Sequence, residues 1–292
     1  MIAHLFRQGP AIGATLSLLA SRKGQGAPQV PGPLLTETVP ARDPSLVADF
    51  IRVAGGQPEA WKGRLPPTMF PQWGWPIITR SLKGLPYDLT RAVNAGCSWT
   101  VLGPLPDDQP LVLSARLASI DDDGRRALLT VELSTGTAAG EALRSTLTVF
   151  VPLPRKAQQG EKPGKSEPAR VPEAAHLLAR VSVPAGQGWD FCLVSGDFNP
   201  IHWLGPYARM AGFGGTILHG FGSAAIAAER LIALRHGGRA EALTGMELRF
   251  TRPLRLPAEL GIFTGEPTDG ALPLFAGTEP GAPAVLVGSA RG

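Results

Sequence analysis

The chain lacks most of the features that would place it outside the cell, on nucleic acid or in a membrane. Only two cysteines, Cys97 and Cys192, occur in 292 residues, and they fall in different halves. That excludes a disulfide framework and suits two buried thiols in a reducing cytoplasm. The formal net charge is only +4, and the basic residues do not cluster with aromatics, so nucleic acid is not an expected partner. No stretch approaches the roughly 18 consecutive apolar residues of a bilayer-spanning helix, which argues against membrane insertion. Arg7 precedes an apolar run from Ala11 to Ala20, but the run is short, contains Gly13 and passes into Ser21-Arg22-Lys23-Gly24 without a cleavage site. Residues 1–32 are therefore read as a loosely packed N-terminal arm of a cytoplasmic protein. Familiar catalytic signatures are absent too. There is no Gly-x-Ser-x-Gly elbow, no P-loop, and Gly212-Phe213-Gly214-Gly215 falls short of a dinucleotide fingerprint.

Glycine and proline, by contrast, are plentiful at 36 and 29, which predicts many turns. After the arm, residues 33–154 read as a first folded unit. Its Pro44–Gly55 segment has Val47, Phe50, Ile51 and Ala54 at helical spacing. Alternating strand patterns follow over 95–102, 110–119, 126–134 and 142–151. Residues 155–170 are charged and broken by glycine and proline, so no core can form there and they read as a solvated linker. A second unit spans 171–292, with a helix expected over 219–234. Strands are expected over 177–183, 243–250, 258–263, 271–276 and 284–288.

The two units resemble copies of one another. Thr68-Met69-Phe70 and Trp73-Gly74 align with Thr216-Ile217-Leu218 and Phe221-Gly222 at one offset of 148, and Gly96 aligns with Gly245 one residue further on. The shared order is a lead-in strand, a buried helix, a glycine-containing strand and a proline corner, which gives an α+β fold.

Chemistry concentrates in the second copy, at Ser195-Gly196-Asp197-Phe198-Asn199-Pro200-Ile201-His202. Asn-Pro cannot continue a helix, so the carboxylate of Asp197 and the imidazole of His202 share a turn and can face one small volume. Gly214-Gly215-Thr216-Ile217-Leu218-His219-Gly220 then leads into a small-residue helix whose first N–H groups are free to meet a ligand. An acid, a base and backbone donors so close together suit proton transfer. Taken alone, Asp197 would be a turn residue and His202 a satisfied buried histidine. The joint pattern is what makes them catalytic candidates.

Phe191, Leu193 to His202 and Ala208, followed by Ile217-Leu218-His219-Gly220, resemble the signature of the MaoC-like hydratases and dehydratases, the (R)-specific hydratase 2 family. The resemblance implies a double hot-dog, in which two long helices are each wrapped by an antiparallel sheet and the sheets join across a pseudo-twofold axis. It implies reversible hydration of 2-enoyl thioesters, or dehydration of (3R)-hydroxyacyl thioesters, with Asp197 and His202 as the acid–base pair and the Gly220 amide at the forming enolate. Asn199, Ser195 and Gly196 would shape the loop, and His219 would pack beside the substrate rather than act as a base. No cofactor and no metal are expected, because Asp197 and His202 find no further ligand nearby in the sequence. The partner would be an acyl-CoA or acyl-carrier-protein thioester, and a homodimer is compatible. Thioester hydrolysis and a non-catalytic acyl-thioester-binding subunit are the alternatives.

The first copy has Pro71 and Gln72 where the second has His219 and Gly220, so one active site is expected. Phe70 and Trp73, with Met69 and Trp75, are placed as acyl-pocket residues, although each taken singly reads more readily as core. His4, His176 and His236 are expected at the surface. Ala228 stands where some relatives carry serine, which removes any side-chain help from that turn.

Overall fold

The computed structural model describes residues 1–154 and 167–292, so most of the expected linker, 155–166, lies outside the described residues. Strands and helices are numbered in chain order. The N-terminal half supplies β1 (Leu35–Val39), β2 (Val93–Val101), β3 (Leu111–Asp122), β4 (Arg126–Thr137) and β5 (Gly140–Pro152). The C-terminal half supplies β6 (His176–Val183), β8 (Gly245–Phe250), β10 (Ala258–Thr264), β11 (Leu272–Gly277) and β12 (Leu286–Arg291). These ten strands make one antiparallel sheet in the order β1-β3-β4-β5-β2-β8-β12-β11-β10-β6. The two-residue strands β7 (Ile217–Leu218) and β9 (Leu254–Arg255) pair separately.

The strands form where apolar residues recur every second position. In β4, Ala127, Leu129, Val131 and Leu133 all point inward and are buried, because a strand's period of two puts them on one face. Each half of the sheet wraps one long helix, α3 (Phe70–Leu82) or α6 (Gly220–Leu234), the latter preceded by the short α5 (Gly205–Met210). In α3, Gly74 permits a close approach, since a Cβ there would meet Leu133 Cδ2 at 2.5 Å. In α6 the run Ala224, Ala225, Ala227 and Ala228 is buried on all sides, and small residues keep that helix near its neighbours.

The repeat shows in the pairing. Strand order reads the same inward from either edge, with β2 and β8 meeting at the centre. At that seam Gly96 faces Arg249, Ser98 faces Glu247 and Thr100 faces Gly245. With Gly96 equivalent to Gly245, Ser98 is equivalent to Glu247 itself. The register is thus symmetric about that one pair, as a pseudo-twofold axis requires, and the expected α+β double hot-dog is present. Two shorter helices correspond as well, α2 (Pro44–Val53) and α4 (Gln187–Ser195). Both are followed by a left-handed glycine, Gly55 at φ +79 and Gly196 at φ +81, and their Phe50 and Phe191 rings meet at 5.8 Å.

Three expectations need correction. Residues expected to form a loose arm instead make a 3-10 turn (Ile2–Gln8) and a helix, α1 (Gly9–Leu19), which packs on α3. Pro10 favours that helix start. His4 is buried, with its Nε2 2.8 Å from Asp49 Oδ2, and His236 is half-buried. Finally, Pro67–Met69 is a 3-10 turn, not a lead-in strand, because Pro66 and Pro67 have no N–H to offer a ladder. Among the described residues no helix is long and apolar enough to cross a membrane.

Candidate active site

The site begins where α4 ends. Left-handed Gly196, whose N–H bonds the Cys192 carbonyl at 2.9 Å, stops the helix and turns the chain. Each following polar group then fixes the next. The Asp197 N–H donates to Ser195 Oγ (3.3 Å), and Asp197 Oδ1 accepts from the Asn199 N–H (3.2 Å). Asn199 Oδ1 caps a short turn, Pro200–His202, by accepting from the Ile201 N–H at 3.3 Å. Asn-Pro thus works as a cap and a first helical residue, and the turn delivers His202 to the site.

Three side chains converge there. His202 Nδ1 lies 2.8 Å from the Ile217 carbonyl of β7. A carbonyl only accepts, so Nδ1 carries the proton and a neutral ring presents its lone pair at Nε2. That Nε2 stands 3.9 Å from Asp197 Oδ2, too far for a direct hydrogen bond and well spaced for one water between them. His219, the residue before α6, donates from Nε2 to the Asp197 carbonyl at 3.0 Å and lies 3.7 Å from Cys192 Sγ. Its ring stacks on His202 with centroids 3.5 Å apart and planes 21° apart.

Electrostatics separates the roles. Burial and the neighbouring His202 push His219 down to about 3, so it is neutral at ordinary pH, with Nδ1 buried and unpartnered. Burial opposes ionisation of Asp197, but the imidazoles of His219 and His202 and the Asn199 amide outweigh it. The carboxyl is held below its usual range. Burial, with Asp197 nearby, raises the Cys192 thiol and keeps it an inert packing group. Gly220 opens α6, where first-turn N–H groups have no partner within the helix. A Cβ at Gly220 would meet the Phe250 ring at 2.6 Å, so only glycine lets the helix begin there.

A pocket of about 470 Å³, open mouth included, lies against this group. Ser195, Gly196, Asp197 and His219 line it from one half, and Met69, Pro71, Gln72 and Trp75 line it from the other. His202 is stacked on His219 and is not a lining residue, and neither is Asn199 nor Gly220. Two acyl-pocket expectations fail. Phe70 and Trp73 are fully buried core, Phe70 edge-on to Phe221 at 5.6 Å and Trp73 donating from Nε1 to Thr135 Oγ1 at 3.1 Å. Helical spacing decides this, since residues 70 and 73 share one face of α3 and residues 72 and 75 share another about 200° around the axis.

A polar chain from the N-terminal segment also reaches the site. Gln8 donates from Nε2 to the Leu193 carbonyl (2.9 Å) and accepts at Oε1 from Gln72 (3.1 Å), which accepts in turn from Arg42 Nη1 (3.4 Å). Nothing in the sequence around Gln8 announced this. Asp197, His202 and His219 also hold potential metal-ligand atoms within 4.8 Å of one another, so the third ligand not visible by local spacing does exist. Stacked imidazoles set their lone pairs side by side, however, whereas a metal draws them to one point at about 2 Å. The trio is better arranged for moving a proton.

Residues 158–264 match the family model of the MaoC like domain. Over 162 residues the chain is 31% identical to 3-hydroxyacyl-thioester dehydratase Y of Mycobacterium tuberculosis, covering 52% of this chain and 53% of that protein. The chain thus matches only about half the length of that curated relative. The crystal structure of HtdX from the same organism superposes with a TM-score of 0.69 at 22% identity, covering 89% of this chain and 99% of that one. A third M. tuberculosis protein, described as having a double hotdog fold, matches with a TM-score of 0.55 at 12% identity over 90% of this chain and 96% of its own. Residues 158–264 thus resemble a MaoC like domain, and the chain as a whole has the double hot-dog fold.

Proposed function

We propose that this MaoC-like double hot-dog protein is a hydro-lyase that adds water reversibly across trans-2-enoyl thioesters to give (3R)-hydroxyacyl thioesters. The observation that carries the reading is the 3.9 Å gap between His202 Nε2 and Asp197 Oδ2, with His202 held in one tautomer by the Ile217 carbonyl. One water in that gap meets two proton acceptors at once. In the hydration direction its oxygen attacks Cβ while one of the pair takes its proton, and a proton is returned from the pair to Cα. Depressed Asp197 stays ionised through the neutral range, so the pair holds at most one proton there and can pass it on.

Negative charge gathers on the thioester oxygen as the enolate forms. We assign its stabilisation to the Gly220 N–H at the start of α6, where the helix dipole favours an anion. Neutral His219 positions the pair by stacking on His202 and holding the Asp197 carbonyl. Ser195, Gly196 and Asn199 shape the loop. The substrate is a coenzyme A or acyl-carrier-protein thioester, whose shared pantetheine arm would enter by the pocket mouth. Two buried free cysteines fit a reducing compartment, and we place the protein in the cytoplasm.

The test is loss of conjugated-thioester absorbance with crotonyl- and octenoyl-CoA, for the wild type and Asp197→Asn. A (3R)-hydroxy product formed by the wild type alone is the expected result. Equal rates in both proteins would remove Asp197 from the mechanism.

A further inference from the structure

One stripe at the start of α1, its N-cap residue Gln8 with Ala11 and Thr15, falls at helical spacing on a single face, and every member touches the pocket wall. Gln8 bonds the lining residue Gln72 and the carbonyl of Leu193. Ala11 and Gln8 sit so close to Gly196 that a Cβ there would meet them at 2.9 and 2.8 Å. Thr15 Oγ1 accepts from Trp75 Nε1 at 2.8 Å and so fixes the indole of a lining residue. The opposite face of α1 is open to solvent, with Pro10, Gly13 and Ser17 all exposed. The wall at this end is therefore one helix thick.

We infer that α1 and the indole it anchors, Trp75, close the far end of the acyl cavity and set the longest acyl chain the protein accepts, an inference that rests on the thioester reading above. The length follows from the helix. Ala11 and Gln8 mark the catalytic loop and Thr15 marks Trp75, four to seven residues apart, or about 6 to 10 Å along the axis at 1.5 Å per residue. An extended chain covers about 1.2 Å per bond, from roughly 3.5 Å per three-bond residue, so the space takes about five to eight bonds. Butyryl and octanoyl chains fit in front of Trp75, and a dodecanoyl chain runs into it.

Saturated acyl-pantetheines cannot be hydrated, so their binding reports the wall independently of turnover. Dissociation constants for butyryl-, octanoyl- and dodecanoyl-pantetheine would be measured by calorimetry on the wild type, Trp75→Ala and Thr15→Val. The wild type should bind the octanoyl compound at least tenfold more tightly than the dodecanoyl. Trp75→Ala should bring the two within about threefold, and Thr15→Val, which releases the indole without emptying the space, should move part of the way. Thr15→Val keeps the test alive should Trp75→Ala fail to fold. A wild type that binds dodecanoyl-pantetheine as tightly as octanoyl, or binds none of the three, overturns the inference, and so does a preference unchanged in both variants. A length preference without any hydration would leave the wall standing and sink the catalytic reading. Hydration of octenoyl- and dodecenoyl-CoA at equal rates would do the reverse.

Discussion

The two halves of this molecule share a backbone plan and differ in what stands at the same few positions. After α4 the left-handed Gly196 is followed by Asp197. After α2 the left-handed Gly55 is followed by Gly56. The second half places its carboxylate against two imidazoles. In the first, the matching space is filled from outside by Glu229 of α6, whose Oε2 lies only 2.0 Å from where a Gly56 Cβ would be. At the helix starts, His219-Gly220 in one half faces Pro71-Gln72 in the other, and Gln72 has joined a structural hydrogen-bond chain. A duplicated frame has kept one proton-transfer site and turned its other copy into pocket wall and inter-half packing.

The largest effect expected from breaking this contrast is at Asp197. Asp197→Asn or His202→Gln should each lower the hydration rate by about 10³-fold. The double variant should be little worse than either single one, because the two act on one water. Single-turnover rates on crotonyl-CoA would check both statements.

Next is the attempt to restore the missing carboxylate. Gly56→Asp should not create a second site. It should destabilise the fold by about 3 kcal/mol or more, since a new carboxylate would be forced into the space that the buried Glu229 carboxyl already fills. A urea midpoint equal to that of the wild type would show that the two halves tolerate the same residue there after all.

Glu229 itself gives the third. Burial raises its carboxyl to about 7, against the opposing Trp61 N–H and Arg230. Below about pH 4.5 it is protonated whether folded or unfolded. As pH rises from there towards 7 the unfolded chain releases the proton and the folded one holds it, so stability falls, by about 3 kcal/mol in all. In Glu229→Gln this decline should be absent between pH 5 and 8, measured as the pH dependence of urea midpoints. A parallel decline in both proteins would assign it to other groups.

The smallest concerns the buried pair Trp73 and Phe221, which the repeat makes equivalent. Making the halves alike with Trp73→Phe removes the bond to Thr135 Oγ1 and leaves a buried hydroxyl unpaired. The cost should be about 2 kcal/mol in chemical denaturation, with the acyl-length preference unchanged because Trp73 does not line the pocket.

Much of this was legible in the chain. Alternation within β2 to β5 and β8 to β12, the glycine-rich approach to α6 and the Asp-x-Asn-Pro-x-His turn are local patterns, and local patterns carry strands, helix starts and loop shape. His202 and Asp197 were readable because five residues and an asparagine–proline turn hold them together. What escaped was set by distance. Gln8 meets Leu193 across 185 residues, through a helix face of glutamine, alanine and threonine that has no apolar period to detect. His219 read as packing because its stack on His202 depends on how β7 lies beside the loop. Phe70 and Trp73 were separated from Met69 and Trp75 only by which side of α3 meets the sheet.

The seam between β2 and β8 has a consequence for solution behaviour. Joined, the halves leave only β1 and β6 as edges of the ten-stranded sheet among the described residues. Separated, each half would bare a long strand whose hydrogen-bonding groups have lost their partner, and whose register is already symmetric about Ser98 and Glu247. Such an edge is self-complementary. An isolated C-terminal half would therefore seek a second copy of itself across β8, and the resulting pair would carry two Asp–His sites where the intact chain has one.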